Sequence, residues 1–298
     1  MVAVVPVIGN RLCVLTKQAP LRLTSSLRFS FRGELHMERS PSWAFRCFTF
    51  NALAASLLFS GLTLHGQTTQ QSLPTAKEVL DRYAKALGGR ETMYKHTSMT
   101  VHGKQEYPEK HVSLDHVLYY KGGKRLEKIT LPDGSAVVAG FDGKIGWEVA
   151  ANGTASLHQG DEASSWKRDA DMFYPARVLD YFQSMEVVDA TDFQGHTCYH
   201  LRGTNNWGKL NEQFYDKESG LLVGYRFDTR WRGGTGTAIM VFSDYKDFSG
   251  WLMPTRTLYK EAKLEVFETV TSVSFDDVDD SIFVLPQAVQ TLVQPGNR

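Results

Sequence analysis

Three side chains that could ligate a metal lie close together in the segment GHTCYHL. His196, Cys198 and His200 occupy alternate positions, so in a β-strand all three side chains would point to one face. Imidazole and thiolate groups are plausible zinc or copper ligands. However, successive same-face positions of a strand are about 7 Å apart, whereas a metal needs its ligands within about 2.0–2.3 Å. We therefore predict no metal site, an apolar packing role for Cys198, and ordinary polar roles for both histidines.

A run of four aspartates near the C-terminal end is a second candidate, in this case for calcium. It comprises Asp276, Asp277, Asp279 and Asp280. The run lacks the alternating acidic positions, the glycine and the distal glutamate of a calcium-binding loop. A solvated turn before the last strand explains these residues more simply.

Motifs of the common hydrolases and nucleotide-binding enzymes are missing from the sequence. There is no GxSxG segment and no P-loop. The glycine-rich segment 233–236 lacks the lysine of a P-loop and precedes a strand, so we predict a hairpin loop there. The first two predicted strands and the segment before them carry four histidines, without HExxH spacing: His96, His102, His111 and His116. A proton-sensitive patch is an alternative for them. We predict no catalytic residue and no cofactor.

Asp-Gly and Asn-Gly pairs could belong to a catalytic loop or could simply reverse a strand. They recur at 133–134, 142–143 and 152–153, each between short apolar runs. Such pairs are favoured in tight β-hairpins because the glycine adopts positive φ easily. One structural explanation covers all three pairs, so we predict hairpin turns.

Charge and composition exclude several classes of protein. The 298 residues carry 33 basic and 33 acidic groups, and 42% are hydrophobic, which is enough to bury a core. Residues 67–298 alone hold 26 basic and 31 acidic groups, a net charge of −5. An acidic body argues against a nucleic-acid partner.

The first 66 residues are typical of an export signal preceded by an extension. An uncharged apolar run spans 52–64, after Arg39 and Arg46, and this arrangement predicts a signal peptide cleaved after Gly66. The run is too short to cross a membrane. Met37 is the expected start of a conventional signal. We therefore expect an exported, periplasmic or envelope protein, with Cys198 as its lone cysteine.

Residues 67–74 are a polar linker, and the spacing beyond it predicts first a helix and then a long series of strands. Thr75 and Glu78 form a capping-box pattern, with apolar residues at helical spacing up to the double glycine at 88–89. The period then changes to two. The predicted strands cover 98–106, 112–120, 125–131, 136–141, 145–149, 154–157, 185–190, 196–204, 211–215, 221–230, 237–244, 252–260 and 263–275. So many strands favour a strongly curved sheet.

The segment 161–183 interrupts this pattern. Trp166 and Phe173 have helical spacing, and Pro175 fits the first turn of a second helix with Val178, Leu179 and Phe182 on its apolar side. We predict two short helices that pack over the concave face of the sheet as a lid. The fold class is therefore α+β and mainly β: an incomplete antiparallel β-barrel with an N-terminal helix and a helical lid.

Three stretches together resemble a known family. They are AKEVLDRYAKALGGRETMYKHTSMTVHG, FDGKIGWEV, and the discontinuous tail EQFYDKESGLLVGYRF, WLMPTRTLY and VSFDDVDDSIFVLP. In these stretches the chain resembles the bacterial outer-membrane lipoprotein-sorting proteins, relatives of the periplasmic lipoprotein carrier LolA. The resemblance covers about 75–286, which leaves 287–298 as a C-terminal tail. It implies a curved half-barrel with helices over its open side and an apolar cavity for acyl chains or lipidated polypeptide.

Aromatic residues inside the predicted strands are the candidate cavity lining. They are Trp147, Tyr199, Phe214, Tyr225, Phe227, Phe242 and Phe267; an ordinary core would account for part of this set. The sequence thus predicts a monomeric, non-enzymatic carrier of a lipid or lipoprotein acyl chain, with envelope membrane proteins as further partners. Two alternatives stay open: an envelope sensor or interaction module of the same fold that binds a protein, and an envelope hydrolase.

Overall fold

Strands dominate the part of the chain that the computed structural model describes, residues 72–231 and 234–294. The predicted extension and signal peptide lie outside the described residues. The strands are β1 Ser98–Tyr107, β2 Val112–Lys121, β3 Lys124–Thr130, β4 Ala136–Phe141, β5 Gly146–Val149, β6 Ala155–His158, β7 Phe182–Phe193, β8 His196–Asn205, β9 Leu210–Asp216, β10 Leu222–Trp231, β11 Gly234–Phe248, β12 Trp251–Glu261 and β13 Leu264–Phe275. The helices are α1 Ala76–Ala86, α2 Arg90–Tyr94, α3 Asp161–Asp169 and α4 Gln287–Val293.

All of these strands form one antiparallel sheet built from two meanders. Strands β1–β6 follow one another in order, strands β7–β13 do the same, and β1 pairs with β13 to join the two halves. The sheet is not closed, and β6 and β7 are its edges. The predicted curved antiparallel half-barrel is confirmed.

The Asp-Gly and Asn-Gly pairs form hairpin turns, as predicted. Gly134, Gly143 and Gly153 all have positive φ, between 82° and 100°. In each turn the preceding Asp or Asn side chain accepts a hydrogen bond from the backbone N–H two residues later, at 2.8–3.1 Å. This side-chain bond fixes the turn locally, and no catalytic role is needed to explain the three pairs.

Helix α1 packs on one face of the sheet. The predicted capping box is present, because the Thr75 side chain accepts from the Glu78 N–H and the Glu78 carboxylate accepts from the Thr75 N–H. The apolar side of α1 is buried, and the Tyr83 ring lies 5.1 Å from the ring of Tyr215 on β9. We call the face of the sheet that packs on α1 the inner face and the opposite one the outer face.

The end of α1 is fixed to the hairpin between β11 and β12. The Leu252 N–H donates to the Leu87 carbonyl at 3.0 Å. At Gly88, which has φ of 103°, an added Cβ would lie 2.0 Å from the Gly250 carbonyl oxygen. The backbones can approach this closely only because position 88 has no side chain.

This contact predicts a large difference between two neighbouring glycines. Gly89 also has positive φ, but nothing lies within 4 Å of a Cβ added there. Gly88→Ala and Gly89→Ala should share the conformational strain, whereas only Gly88→Ala forces the two backbones apart. We expect Gly88→Ala to lower the free energy of unfolding by about 1–3 kcal/mol more than Gly89→Ala does. Urea unfolding of both variants measures the difference, and equal losses would contradict the contact.

The segment between β6 and β7 joins the two edges of the open sheet. Its first part forms α3. In place of one continuous second helix it forms two short 3-10 helices, Tyr174–Ala176 and Val178–Tyr181, and Phe182, predicted on the apolar side of that helix, begins β7. The cause is the Asp171 carboxylate, which accepts from the Phe173 N–H, Arg177 Nε and the Tyr181 hydroxyl. These bonds tighten the chain into short turns and compete with a regular helix.

The segment after Pro286, predicted as a tail, contains α4, and this helix packs against β5 and β6. A short 3-10 helix, Asp280–Phe283, precedes it and lies beside β3, where Lys121 and Lys124 pair with Asp280. Within 72–231 and 234–294, none of the helices has the length and hydrophobicity to span a membrane.

Candidate ligand-binding site

The inner face carries the largest apolar cluster of the described residues. The cluster joins α1, the short helices of the 161–183 insert and strands from both meanders. Of the seven aromatic residues predicted to line a cavity, four belong to it or pack against it: Tyr199, Tyr225, Phe227 and Phe242. Tyr225 and Phe242 meet edge to face at 5.3 Å, and the Phe227 ring lies 6.5 Å from that of Tyr259.

The other three predicted lining residues lie on the outer face. Phe214 packs with Cys198 in a separate small cluster. Trp147 pairs with Gly140, whose neighbours in β4 point inward. Phe267 pairs with Leu258 and lies under the Arg256 guanidinium, 4.8 Å from the ring centre. The sheet therefore separates them from the inner four.

Part of the inner face keeps apolar surface exposed to solvent. At the end of the strands away from Gly88, four apolar side chains pack on the main cluster but are only partly buried. They are Val112, Leu131, Phe227 and Leu264. Behind them lie the fully buried Leu114, Ile129, Tyr259 and Val266. These eight side chains form what we call the apolar rim. An apolar ligand chain lying on the rim would cover its exposed part.

Polar groups that the sequence reasoning missed lie within the same inner face. Glu268 on β13 is only 4% exposed, and its Oε1 accepts a hydrogen bond from Gln105 Nε2 at 2.8 Å. The Tyr107 hydroxyl donates in turn to Gln105 Oε1 at 3.1 Å. The other carboxyl oxygen, Oε2, is buried without a hydrogen-bond partner. Burial first, and then the nearby Glu127 carboxylate, raise the pKa of Glu268 well above its ordinary value.

Beside this carboxyl lies a buried ion pair on β3. Arg125 donates to Glu127 at 2.6 Å, and His116 Nε2 lies 2.8 Å from the second oxygen of Glu127. Both Arg125 and Glu127 are 1% exposed. Because the opposite charges of Arg125 and Glu127 are in direct contact, this pair adds no net charge to the interior of the protein. The signal for these residues was present in the sequence, since ionisable side chains occupy inward positions of an alternating strand.

The insert covers this polar group. Trp166 on α3 stacks on His158 at 4.9 Å, and its ring centre lies 4.8 Å from Arg125 Cζ. Ala139 and Phe141 of β4 complete its surroundings. Of the other predicted lid residues, Val178 and Phe182 are buried, Phe173 is partly buried, and Leu179 is exposed.

The three metal-ligand candidates share the outer face but face carboxylates. His200 lies between Asp189 and Glu212, at 3.3 and 3.1 Å, and His196 lies 3.3 Å from Asp216. Burial raises the pKa of the Cys198 thiol to about 12, which disfavours the thiolate that a metal requires. Among the described residues, no group of three or more His, Cys, Asp or Glu side chains is placed to hold a metal ion.

Each carboxylate of the aspartate run has a structural partner. Asp276 accepts from Thr97 and lies 2.9 Å from His96 Nδ1, and these bonds, that with His96 first, lower its pKa to about 2. The remaining three have contacts of the same kind: Asp277 with Thr100 and Ser274, Asp279 with Ser281, and Asp280 with Lys121. The run ties the chain after β13 back to the start of β1.

Comparison with solved structures identifies the fold. A LolA superfamily protein from Nitrosomonas europaea superposes with a TM-score of 0.51 at 13% identity, over 72% of this chain and 99% of that chain. A DUF1329 family protein from Desulfovibrio piger gives 0.49 at 14% identity, over 70% and 96%. LprF from Mycobacterium bovis gives 0.26 at 12% identity, over 68% and 94%. No protein-family model and no curated protein matches the chain. The chain has a LolA-like fold.

Proposed function

We propose that this protein is an exported, non-enzymatic binding protein that holds an acyl chain against the inner face of its half-barrel. The observation that carries the proposal is the apolar rim, where Val112, Leu131, Phe227 and Leu264 remain partly exposed on the inner side of a curved sheet. Partly exposed apolar surface next to a buried apolar cluster is typical of a ligand site. The LolA-like fold and the export signal predicted in residues 1–66 support the same function.

The inner four aromatic residues would contact the chain, and the outer three would not. Phe227 is the most informative of them, because it belongs to the rim and is only partly buried. Covering a side chain of this size with a ligand contributes about 1.5–3 kcal/mol. Its removal should therefore weaken binding without unfolding the sheet.

We expect Phe227→Ala to weaken the binding of dodecylpyrene, an uncharged fluorescent chain, by about tenfold. Phe267→Ala is the matched control, since it removes a partly buried phenylalanine from the outer face of the same sheet. Its affinity should stay within twofold of the unsubstituted protein. Fluorescence titration measures both. Equal effects of the two substitutions would contradict an inner-face site.

Native mass spectrometry of protein purified from its own cell envelope provides an independent test. A bound lipid or lipopeptide is expected. Protein that is consistently empty, and that also fails to bind dodecylpyrene, would overturn the carrier function.

A second function is favoured by how much of the inner face is already filled. Around Gln213, which is completely buried, the side chains of Asn211, Tyr174 and Tyr215 form a hydrogen-bonded group beneath the insert. A filled interior suits an envelope sensor or interaction module that binds a partner protein. Purification with a single stoichiometric protein partner and no lipid would support this module over the carrier.

A further inference from the structure

Several buried polar atoms among the described residues lack a hydrogen-bond partner, and Glu268 Oε2 is the one that belongs to a carboxyl group. Buried polar atoms in folded proteins nearly always have partners, and leaving one unpaired is costly. Glu268 Oε2 has none, although the carboxyl group is held in a fixed orientation through Oε1, Gln105 and Tyr107. The fixed orientation indicates that the free oxygen is placed for a group that the chain itself does not supply.

The surroundings of this oxygen are those of the apolar rim. On the inner face of β13, Glu268 stands between Val266 and Val270, and Val266 pairs with Tyr259 of β12. On the other side, Gln105 pairs with Leu114 of β2. A chain lying along the rim would therefore pass the carboxyl group.

The chemistry of the carboxyl group defines what it can bind. Burial and the neighbouring Glu127 raise the pKa of Glu268 well above its ordinary value, which favours the neutral carboxyl group. In that form, with Oε1 accepting from Gln105, the remaining O–H is a donor. It requires an acceptor. The cation that acts on Glu268, Arg125, is already paired with Glu127 at 2.6 Å, so a negatively charged acceptor would be buried without a counter-ion of its own, which is unfavourable.

We propose that Glu268, oriented by Gln105 and Tyr107, is a binding subsite for the uncharged carbonyl oxygen of an acyl ester or amide. This assignment rests on the proposed acyl-binding function and adds the chemical class of the ligand's polar end. The apolar rim holds the hydrocarbon, and Glu268 donates a hydrogen bond to the linkage that joins it to the rest of the ligand. Gln105 and Tyr107 are positioning residues.

Three probes with the same fluorophore test the assignment: dodecylpyrene, methyl pyrenedecanoate and pyrenedecanoic acid. The methyl ester should bind about 5–10-fold more tightly than dodecylpyrene, the worth of one hydrogen bond. The charged acid at neutral pH should show no gain over the ester. Glu268→Met should reduce the ester-to-hydrocarbon ratio to about one, whereas Glu268→Gln, which keeps an N–H donor at this place, should preserve it.

Tyr83→Phe is the matched control. It removes a buried hydroxyl group that also has no hydrogen-bond partner but belongs to α1 and not to β13. It should leave the ratio unchanged. If dodecylpyrene binds but the ester shows no advantage, the free oxygen contacts only water and the subsite is overturned while the carrier function stands. Tighter binding of the acid than of the ester would overturn the neutral-carbonyl class. Failure of dodecylpyrene itself to bind would overturn the carrier function and the subsite together.

Discussion

Glu268→Gln should stabilise the folded protein, and the gain should increase as the pH rises. In the folded state the buried carboxyl is held in its neutral form, since its pKa is raised well above the ordinary value of about 4.5. In the unfolded chain the same group ionises above that value. Raising the pH therefore favours the unfolded state of the unsubstituted protein, and glutamine, which cannot ionise, removes this penalty.

The titration of one carboxyl group sets how steeply this stability difference changes with pH. Between about pH 4.5 and the raised pKa of the folded state, the advantage of Glu268→Gln should grow by at most about 1.4 kcal/mol for each pH unit. The hydrogen bond from Gln105 is retained, because the glutamine carbonyl can still accept it. Urea unfolding at pH 5, 6, 7 and 8 gives the free energies directly.

Glu109→Gln provides the control, because this glutamate is exposed in the loop between β1 and β2. It should change stability little at any of these pH values. A Glu268→Gln advantage that stays constant from pH 5 to pH 8 would mean that the carboxyl ionises in the folded protein. In that case the donor on which the carbonyl subsite depends would not exist at neutral pH.

The strands and turns were predictable because each is specified by neighbouring residues. Period-two alternation places the strands, and Asp133-Gly134 and its two counterparts break them, so the predicted and observed strands agree closely in most cases. The pairing of β1 with β13 was not specified in this way. It joins residues such as Gln105 and Glu268, which are far apart in the sequence. No local pattern indicates which strands join the two meanders to each other.

The candidate site was only partly predictable, because the sequence does not show which of the alternating side chains of a strand face inward. Aromatic side chains in a strand point inward or outward according to the register, and a bulge such as that between His102 and Gly103 shifts it. Trp147, Phe214 and Phe267 were therefore indistinguishable from the inner aromatic residues. The second helix of the insert divides into two 3-10 helices for a different reason, since the hydrogen bonds to the Asp171 carboxylate compete with the helical spacing around Val178.

Truncating Trp166 to alanine should open the inner face. This side chain is the main apolar contact of α3, where it lies against Arg125 and His158 and packs on Ala139 and Phe141. Replacing a buried tryptophan by alanine removes about 3–5 kcal/mol of packing. Other described ties of α3 are the ion pairs of Glu162 with His158 and of Asp161 with Lys209, and the Arg168 guanidinium over the Trp207 ring. Each of these partly exposed contacts is worth less than a buried tryptophan.

We therefore predict that α3 acts as a lid and that Trp166→Ala, alone or with Phe182→Ala, raises the dissociation rate of bound dodecylpyrene by at least tenfold. The two positions act differently. Phe182 begins β7, and its ring packs directly on Gly203 of β8, where an added Cβ would lie 2.7 Å from Phe182 Cδ1. Truncating Phe182 therefore loosens the edge of the sheet. Stopped-flow displacement measures the rates, and far-UV circular dichroism verifies that the sheet is retained.

Leu179→Ala tests whether the effect is specific, because Leu179 belongs to the same insert but is 40% exposed. Its dissociation rate should match that of the unsubstituted protein. Trp166→Phe supplies a second variant that preserves a ring over the Arg125 guanidinium, and it should release the probe more slowly than Trp166→Ala. If all of these proteins release dodecylpyrene at one rate, α3 does not gate the inner face. The ligand must then enter and leave beside the partly exposed Phe227 and Leu264 of the apolar rim, where no element of the insert has to move.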